Sequence, residues 1–200
     1  NDLIVYQFHI GVFYATDAQG RDIRSGRVSK FLDVVDRITY LADLGINAIM
    51  PLPFVEFQGE NSKGYNGTDL FSPEMDYAVE TADLDPYLGK VNQLLAEKNC
   101  PPLTKAHLAG QVNQLKALID LAHLYGIAVI TDVVYNHAGG DFGDQSLYFF
   151  DRQDPAGGQR HSLYFTDVGH AGGLVFDFAK PEVRDFLIQN AKFFLTEYRV

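Results

Sequence analysis

The segment GIAVITDVVYNHAG, residues 126–139, decides the fold of this 200-residue chain. Its run IAVITDVV, residues 127–134, is rich in β-branched residues and predicts a buried strand. The residues before it predict an amphipathic helix over 105–125 that ends at Gly126. The apolar positions of that helix recur at helical spacing: Leu108, Val112, Leu115, Ile119 and Ala122. A helix, a glycine and a buried strand therefore form one unit.

The same order occurs earlier in the chain. LADLGINAIM, residues 41–50, echoes LAHLYGIAVI, residues 121–130, and residues 30–44 predict the helix that leads into it. IVYQFHI, residues 4–10, predicts a further strand, and Pro181 begins a third helix as a first-turn proline. Alternating strands and helices predict a parallel sheet covered by helices.

This alternation favours an α/β fold, the first three β/α units of a (β/α)8 TIM barrel. On this interpretation residues 1–200 are the N-terminal part of the barrel, since eight units are needed to close it. An open doubly wound sheet is the alternative, although no glycine-rich phosphate loop supports its common nucleotide-binding form.

The composition excludes several classes of protein. Hydrophobic residues make up 46% of the chain, so a packed core is expected. A net charge of −10 disfavours nucleic acid as a partner, and no apolar stretch is long enough for a membrane helix. The single cysteine, Cys100, predicts a free thiol. With no signal peptide visible, we expect a soluble and, by preference, cytoplasmic protein.

Candidate binding residues follow the predicted second and third strands, where a barrel places its chemistry. Residues 54–104 and 138–178 are expected to be long and irregular there. Asp132 and His137 can hydrogen-bond the hydroxyl groups of a sugar, and the ring of Tyr65 can stack on the apolar face of a pyranose. For an arbitrary sequence, a strand-end turn and a packed loop aromatic are the favoured explanations of these residues.

GIAVITDVVYNHAG, with LIDLAHLYG before it, resembles the first conserved region of the α-amylase superfamily, glycoside hydrolase family 13. The resemblance implies that Asp132 supports the base of the active site and that His137 contacts the sugar in the cleaved subsite. It matches Asn136 to an asparagine that binds calcium in many α-amylases. No cofactor is expected to be required. Calcium needs six to eight oxygen ligands, and the carboxylates available for it are Asp141, Asp144, Asp167 and Asp177.

Two more segments carry the resemblance. PLPFVEFQGENSKGYNGTDLFSP, residues 51–73, is similar to the loop after the second strand, with Tyr65 in the place of the sugar-stacking tyrosine. Asp69 matches a structural acidic position there. Glu56 resembles a glutamate of branching and trehalose-releasing relatives, or is a solvated loop charge. Residues 172–198 resemble the segment before the fourth strand, particularly in branching-type enzymes.

Other segments depart from the family or extend it. Residues 74–106 match poorly and are interpreted as an insertion, part helical, that projects from the sugar-binding end of the barrel. Residues 138–178 are expected to be a long loop like domain B of the family. The chain ends at TEYRV, residues 196–200, where the fourth strand is expected to begin.

The resemblance implies an α-amylase-type retaining glycoside hydrolase that acts on α-1,4-glucosidic bonds of starch-like or glycogen-like glucans. The alternatives are a 1,4-α-glucan branching enzyme and a non-catalytic sugar-binding barrel. The family's nucleophile and general acid are expected after Val200, so no catalytic residue is assigned within 1–200. The geometric prediction is that Tyr65, Asp132 and His137 lie together, although 67 to 72 residues separate them.

Overall fold

A computed structural model describes residues 2–59, 62–139, 147, 152–153 and 161–200. The chain forms two compact units. The first unit comprises Asn1–Leu52, Pro73–Thr131 and Val200, and the second comprises Pro53–Ser72 and Asp132–Arg199. No helix in the described part of the chain is long and apolar enough to cross a membrane.

A three-stranded parallel sheet lies at the centre of the first unit. Its strands, in spatial order, are β1 (Val5–Phe8), β2 (Ala48–Pro51) and β5 (Ala128–Val129). Val5 pairs with Ala48, and Ile49 pairs with Val129. The predicted parallel pairing of these three segments is confirmed. The third strand, Ala128–Val129, is shorter than the predicted run of residues 127–134.

The helices of the first unit bury most of the apolar positions read from the sequence, but Val112 is 37% exposed. They are α1 (Phe31–Val35), α2 (Ile38–Asp43), α3 (Asp85–Glu97) and α4 (Gly110–Leu124). The helix expected over 30–44 is two helices, because Arg37 leaves the helical region at φ −108° and ψ 8°. The helix expected over 105–125 begins with a 3-10 turn, Lys105–Leu108, and Gly126 ends it at φ +76°.

The segment 74–106 is more regular than expected and does not project from the unit. Its helix α3 buries Val91, Leu94 and Leu95. Tyr125, at the C-terminal end of α4, donates hydrogen bonds to the Leu94 carbonyl at 3.2 Å and to Glu97 at 2.6 Å. The chain turns from that end of α4 into the start of β5, so the C-terminal turn of α3 lies away from the carboxyl ends of the strands. The predicted projection is wrong for α3, because three buried side chains need a partner surface.

The second unit is built from antiparallel strands and one helix. A hairpin joins β3 (Val55–Phe57) to β4 (Gly67–Pro73). The main sheet has the order β6 (His137–Gly139), β10 (Gly173–Phe176) and β9 (Phe165–His170), and β7 (Arg152–Gln153) pairs with β8 (His161–Ser162). Helix α5 (Pro181–Phe193) continues into a π-helical turn, Phe194–Tyr198.

Three expectations for the loops and for the end of the chain need correction. Residues 54–104 are not irregular, since they contain β3, β4 and α3. The described part of 138–178 is a sheet rather than a loop, because Leu174 and Phe176 bury their side chains with Val183 and Leu187 of α5. Residues 194–198 continue the helix instead of beginning a strand.

Candidate functional site

Tyr65 stands on a turn that only glycine allows. Gly64 has φ +85°, and a Cβ at this position would lie 1.8 Å from the carbonyl oxygen of Pro53. The Gly64 N–H donates to Oγ of Ser62 at 3.0 Å. The turn leaves the Tyr65 side chain 39% exposed, so its ring is available to a ligand.

Asp132 meets the other end of this side chain. The Tyr65 hydroxyl donates a hydrogen bond to Oδ2 of Asp132 at 3.1 Å. The segment that carries Asp132 is anchored three residues later, where the Tyr135 hydroxyl donates to Oδ1 of Asn190 at 2.7 Å. Asn190 is 1% exposed, and its Nδ2 donates to the Leu70 carbonyl at 2.6 Å. Helix α5 and β4 therefore fix the approach of Asp132 to Tyr65.

His137 lies beside the same turn and is 6% exposed. Its Nδ1 is 3.2 Å from Nδ2 of Asn136, and its Nε2 is 3.1 Å from Oδ1 of Asn66. An amide NH2 can only donate and an amide oxygen can only accept. Nδ1 therefore accepts from Asn136, and Nε2–H donates to Asn66. A hydrogen bond also joins His137 to the main chain of Tyr65.

The environment keeps both side chains neutral. Burial lowers the pKa of His137, and the neighbouring His170 lowers it further, whereas a hydrogen bond that His137 donates to the main chain of Tyr65 raises it. Burial raises the pKa of Tyr65, and the hydrogen bond to the Asp132 carboxylate raises it too. At neutral pH the pair thus offers a neutral imidazole and a protonated phenol beside a carboxylate. Such a set of donors and acceptors suits hydroxyl groups.

The tip of a hairpin brings His170 to this site. The turn between β9 and β10 has positive φ at both central residues, +49° at Ala171 and +85° at Gly172, as a two-residue type I′ hairpin requires. The ring centroids of His170 and His137 are 5.3 Å apart at 64°. His170 is exposed, so the antiparallel sheet contributes a second imidazole at the surface.

Two glycines allow the backbones around His137 to approach closely. A Cβ at Gly139 would lie 2.0 Å from the carbonyl oxygen of Asn66, and one at Gly173 would lie 1.9 Å from that of Ala138. Neither distance can accommodate a side chain. The contact between the Tyr65–Asn66 turn and β6 therefore depends on Gly139.

Comparison with known proteins shows which enzymes the chain resembles in sequence and fold. No protein-family model matches the chain. It is 27% identical over 201 residues to the malto-oligosyltrehalose trehalohydrolase of Deinococcus radiodurans, covering 98% of this chain and 24% of that protein. It is 27% identical over 203 residues to the 1,4-α-glucan-branching enzyme of Rhizophagus irregularis, covering 98% of this chain and 22% of that one.

These relatives are enzymes of the α-amylase superfamily. The fold agrees, since the pullulanase SAP of Group B Streptococcus superposes with a TM-score of 0.67 at 18% identity, covering 99% of this chain and 24% of the other. A structure of a GBS pullulanase SAP in complex with maltotetraose gives a TM-score of 0.64 at 20% identity. The chain spans about a quarter of the length of the trehalohydrolases it matches.

The structure brings together four of the six residues singled out from the sequence: Tyr65, Asp132, Asn136 and His137. Asp69 has a local role, because its Oδ1 accepts from the Phe71 N–H at 2.9 Å. Glu56 is a half-buried residue of β3, and its main-chain carbonyl accepts from Thr68 Oγ1 at 3.3 Å.

Calcium binding stays a prediction for this chain. The described residues contain no group of three or more carboxylate, histidine or cysteine side chains that could hold a metal ion. Asp177 interacts with Lys180 at 3.4 Å and accepts from the Ala179 N–H, and Asp167 is exposed on β9. The other two candidates, Asp141 and Asp144, lie outside the described residues.

Sequence reasoning missed Asn66 and gave His170 no role. Asn66 sits beside Tyr65 in GYNG, residues 64–67, where it reads as an ordinary turn residue. The available signal was the run of glycines, because Gly139 and the pair Gly172–Gly173 are the positions where other backbones approach.

Proposed function

We propose that the protein containing this chain is a retaining glycoside hydrolase acting on α-1,4-glucosidic bonds of starch-like or glycogen-like glucans. One observation carries the proposal. Tyr65 and His137 are 72 residues apart in sequence, yet both belong to one hydrogen-bonded cluster with Asp132 and Asn66. A pyranose has an apolar face and hydroxyl groups at its edge. An exposed aromatic ring next to neutral hydrogen-bonding groups can bind both.

The proposal includes the barrel. The parallel order β1, β2 and β5 follows the order of the strands in the sequence, as in the successive units of a (β/α)8 barrel. In such a barrel Asp132 would follow the third strand at its carboxyl end. The two carboxyl groups that a retaining glycosidase needs, about 5–5.5 Å apart, are expected in segments beyond Val200.

Each clustered residue has a proposed task. Tyr65 stacks on a glucose unit, and its hydroxyl is held by Asp132. His137 accepts a hydrogen bond at Nδ1 from a hydroxyl of the same unit, in place of the one from the exposed Asn136, and this bond strengthens as the ring flattens toward the oxocarbenium-like transition state. Asp132 supports the cluster rather than attacking the sugar.

A branching transferase is the second candidate, because branching enzymes match the chain over almost its whole length. Both reactions cleave an α-1,4 bond and differ in whether water or a glucan hydroxyl accepts the glycosyl group. The relatives also make malto-oligosyltrehalose a substrate worth including.

The test is to incubate the full-length protein with amylose, maltoheptaose and malto-oligosyltrehalose. A hydrolase raises the number of reducing ends or releases trehalose. A branching enzyme raises the α-1,6 anomeric proton signals without a matching rise in reducing ends. If no bond is cleaved but maltoheptaose binds, the protein is a sugar-binding relative and the proposed hydrolysis is wrong.

A further inference from the structure

Asn66 connects the turn of Tyr65 to the antiparallel sheet by three separate contacts. Its Oδ1 is 3.1 Å from Nε2 of His137. Its carbonyl oxygen occupies the space where Gly139 lacks a side chain. Its Nδ2 lies 3.3 Å from the place that a Cβ at Gly172 would take. Backbone and side chain of one residue therefore hold β6 and the β9–β10 hairpin together.

The imidazole of His137 is held at two atoms. A single hydrogen bond lets an imidazole ring pivot about that bond, whereas bonds at both nitrogens fix its plane. The bond at Nδ1 comes from Asn136, which is exposed and meets water. The bond from Nε2–H is accepted by Asn66, which is half-buried. A hydrogen bond shielded from water is stronger than one that competes with it.

We propose that Asn66 is a positioning residue that fixes the orientation of the His137 imidazole by accepting a hydrogen bond from Nε2–H. Asn66 acts through His137 and need not touch the sugar. This inference rests on the proposed function only for its purpose, which is to aim His137 at a hydroxyl group. The hydrogen bond itself can be tested without a substrate.

The main chain of Tyr65 is the rival for this role, since it also hydrogen-bonds to His137. If that bond alone held the ring, the Asn66 side chain could be removed without effect. The Asn66 main-chain contact with Gly139 survives any substitution at position 66, so side-chain variants isolate the hydrogen bond.

The experiment records the imidazole N–H signals of the full-length protein labelled with 15N-histidine, slightly above neutral pH. The His137→Gln variant assigns the His137 Nε2–H signal by its loss. Imidazole protons exchange rapidly with water unless they are buried and bonded. We therefore expect a persistent signal in the wild type. Asn66→Ala and Asn66→Leu should lose it through exchange, and Asn66→Asp should keep it because a carboxylate also accepts.

Asn92→Ala is the matched control. Asn92 is a structural asparagine of the first unit, where its side chain bonds to the N–H and carbonyl of Leu103 at 2.8 and 3.0 Å. Its removal should leave the His137 signal unchanged. The proposal is overturned if the signal is absent from the wild type or persists in folded Asn66→Ala and Asn66→Leu. If neither variant folds, Asn66 is structural and the proposal is wrong too.

Turnover of maltoheptaose separates this inference from the proposed function. If both hold, Asn66→Leu should lower kcat about tenfold or more with a smaller change in KM, and Asn66→Asp should recover most of kcat. If the N–H signals follow the prediction but the wild type cleaves no glucan, Asn66 positions His137 and the proposed hydrolysis fails.

Discussion

Gly139→Ala should separate the Tyr65–Asn66 turn from β6. The new Cβ would lie 2.0 Å from the carbonyl oxygen of Asn66 and 2.5 Å from its carbonyl carbon. Non-bonded atoms pack at about 3.5 Å, so the two backbones must part by about 1.5 Å. That movement breaks the 3.1 Å bond between Asn66 and His137. Overpacking costs about 1–3 kcal/mol and the lost hydrogen bond about 0.5–1.5 kcal/mol, so we expect a loss of about 2–4 kcal/mol.

Equilibrium unfolding in urea measures this loss through the midpoint and the slope of the transition. Gly169→Ala is the control in the same sheet. A Cβ there would meet only the Gly173 carbonyl oxygen, at 3.8 Å, an ordinary contact. It should change the free energy of unfolding by no more than about 0.5 kcal/mol. Equal stability of the Gly139→Ala and Gly169→Ala proteins would refute the close approach of Asn66 to β6.

Three further predictions concern stability and pH. Gly89 is exposed inside α3 and has open space around it. Gly89→Ala should therefore raise the free energy of unfolding in urea titrations by about 0.5–1 kcal/mol. A decrease in this free energy would contradict the helix. Burial alone would raise the pKa of Asp33, but hydrogen bonds from Arg27 and the Lys30 N–H, with the Arg24 charge, lower it. Its stabilisation is therefore complete above the unfolded pKa of about 3.9 and is lost as pH falls through the folded value. The free energies of unfolding of the wild type and of Asp33→Asn should converge as the pH falls. Parallel curves of this free energy against pH would refute the prediction. His137 should titrate below its ordinary pKa by NMR, so folding is weakened as pH falls from about 6.5; a pKa above 6.5 would contradict its burial.

Apolar periodicity was sufficient to predict the first unit. The runs near 4–10, 46–50 and 127–133 are apolar and pair in parallel as expected, although Ile4, Val5 and Val133 are exposed. The break between α1 and α2 was not predictable, because Arg37 is a good helix former and only its backbone angles end the helix. Local propensity does not report such a constraint.

The antiparallel sheet could not be predicted from the composition of its strands. Only Phe165 of β9 is buried, and the next five residues of that strand are partly or fully exposed. The strand therefore lacks the alternation that identifies one from sequence. Its partners β6 and β10 contain three glycines and alanines among seven residues, which weakens any strand propensity.

The candidate site was predicted in part, and the family resemblance supplied the part that spacing could not. Tyr65, Asp132 and His137 were expected to converge; the Tyr65 hydroxyl donates to Asp132, and His137 bonds to Asn66, the residue after Tyr65. Their contacts with a sugar stay predictions. Asn66 could not be predicted, because its role depends on the approach of Gly139, 73 residues away. A contact between two distant backbone segments produces no periodic sequence pattern in either segment.

The most direct test of the account is the turnover of maltoheptaose by the full-length protein with His137 replaced. His137→Gln keeps a polar side chain but moves the hydrogen-bonding atom, and His137→Ala removes it. His123→Ala, on the exposed face of α4, is the control and should behave as the wild type. Loss of one transition-state hydrogen bond predicts that kcat falls about 10²-fold in the His137 variants, with a smaller change in KM. Wild-type kcat in a folded His137→Ala protein would contradict the assignment of this cluster to glucan cleavage.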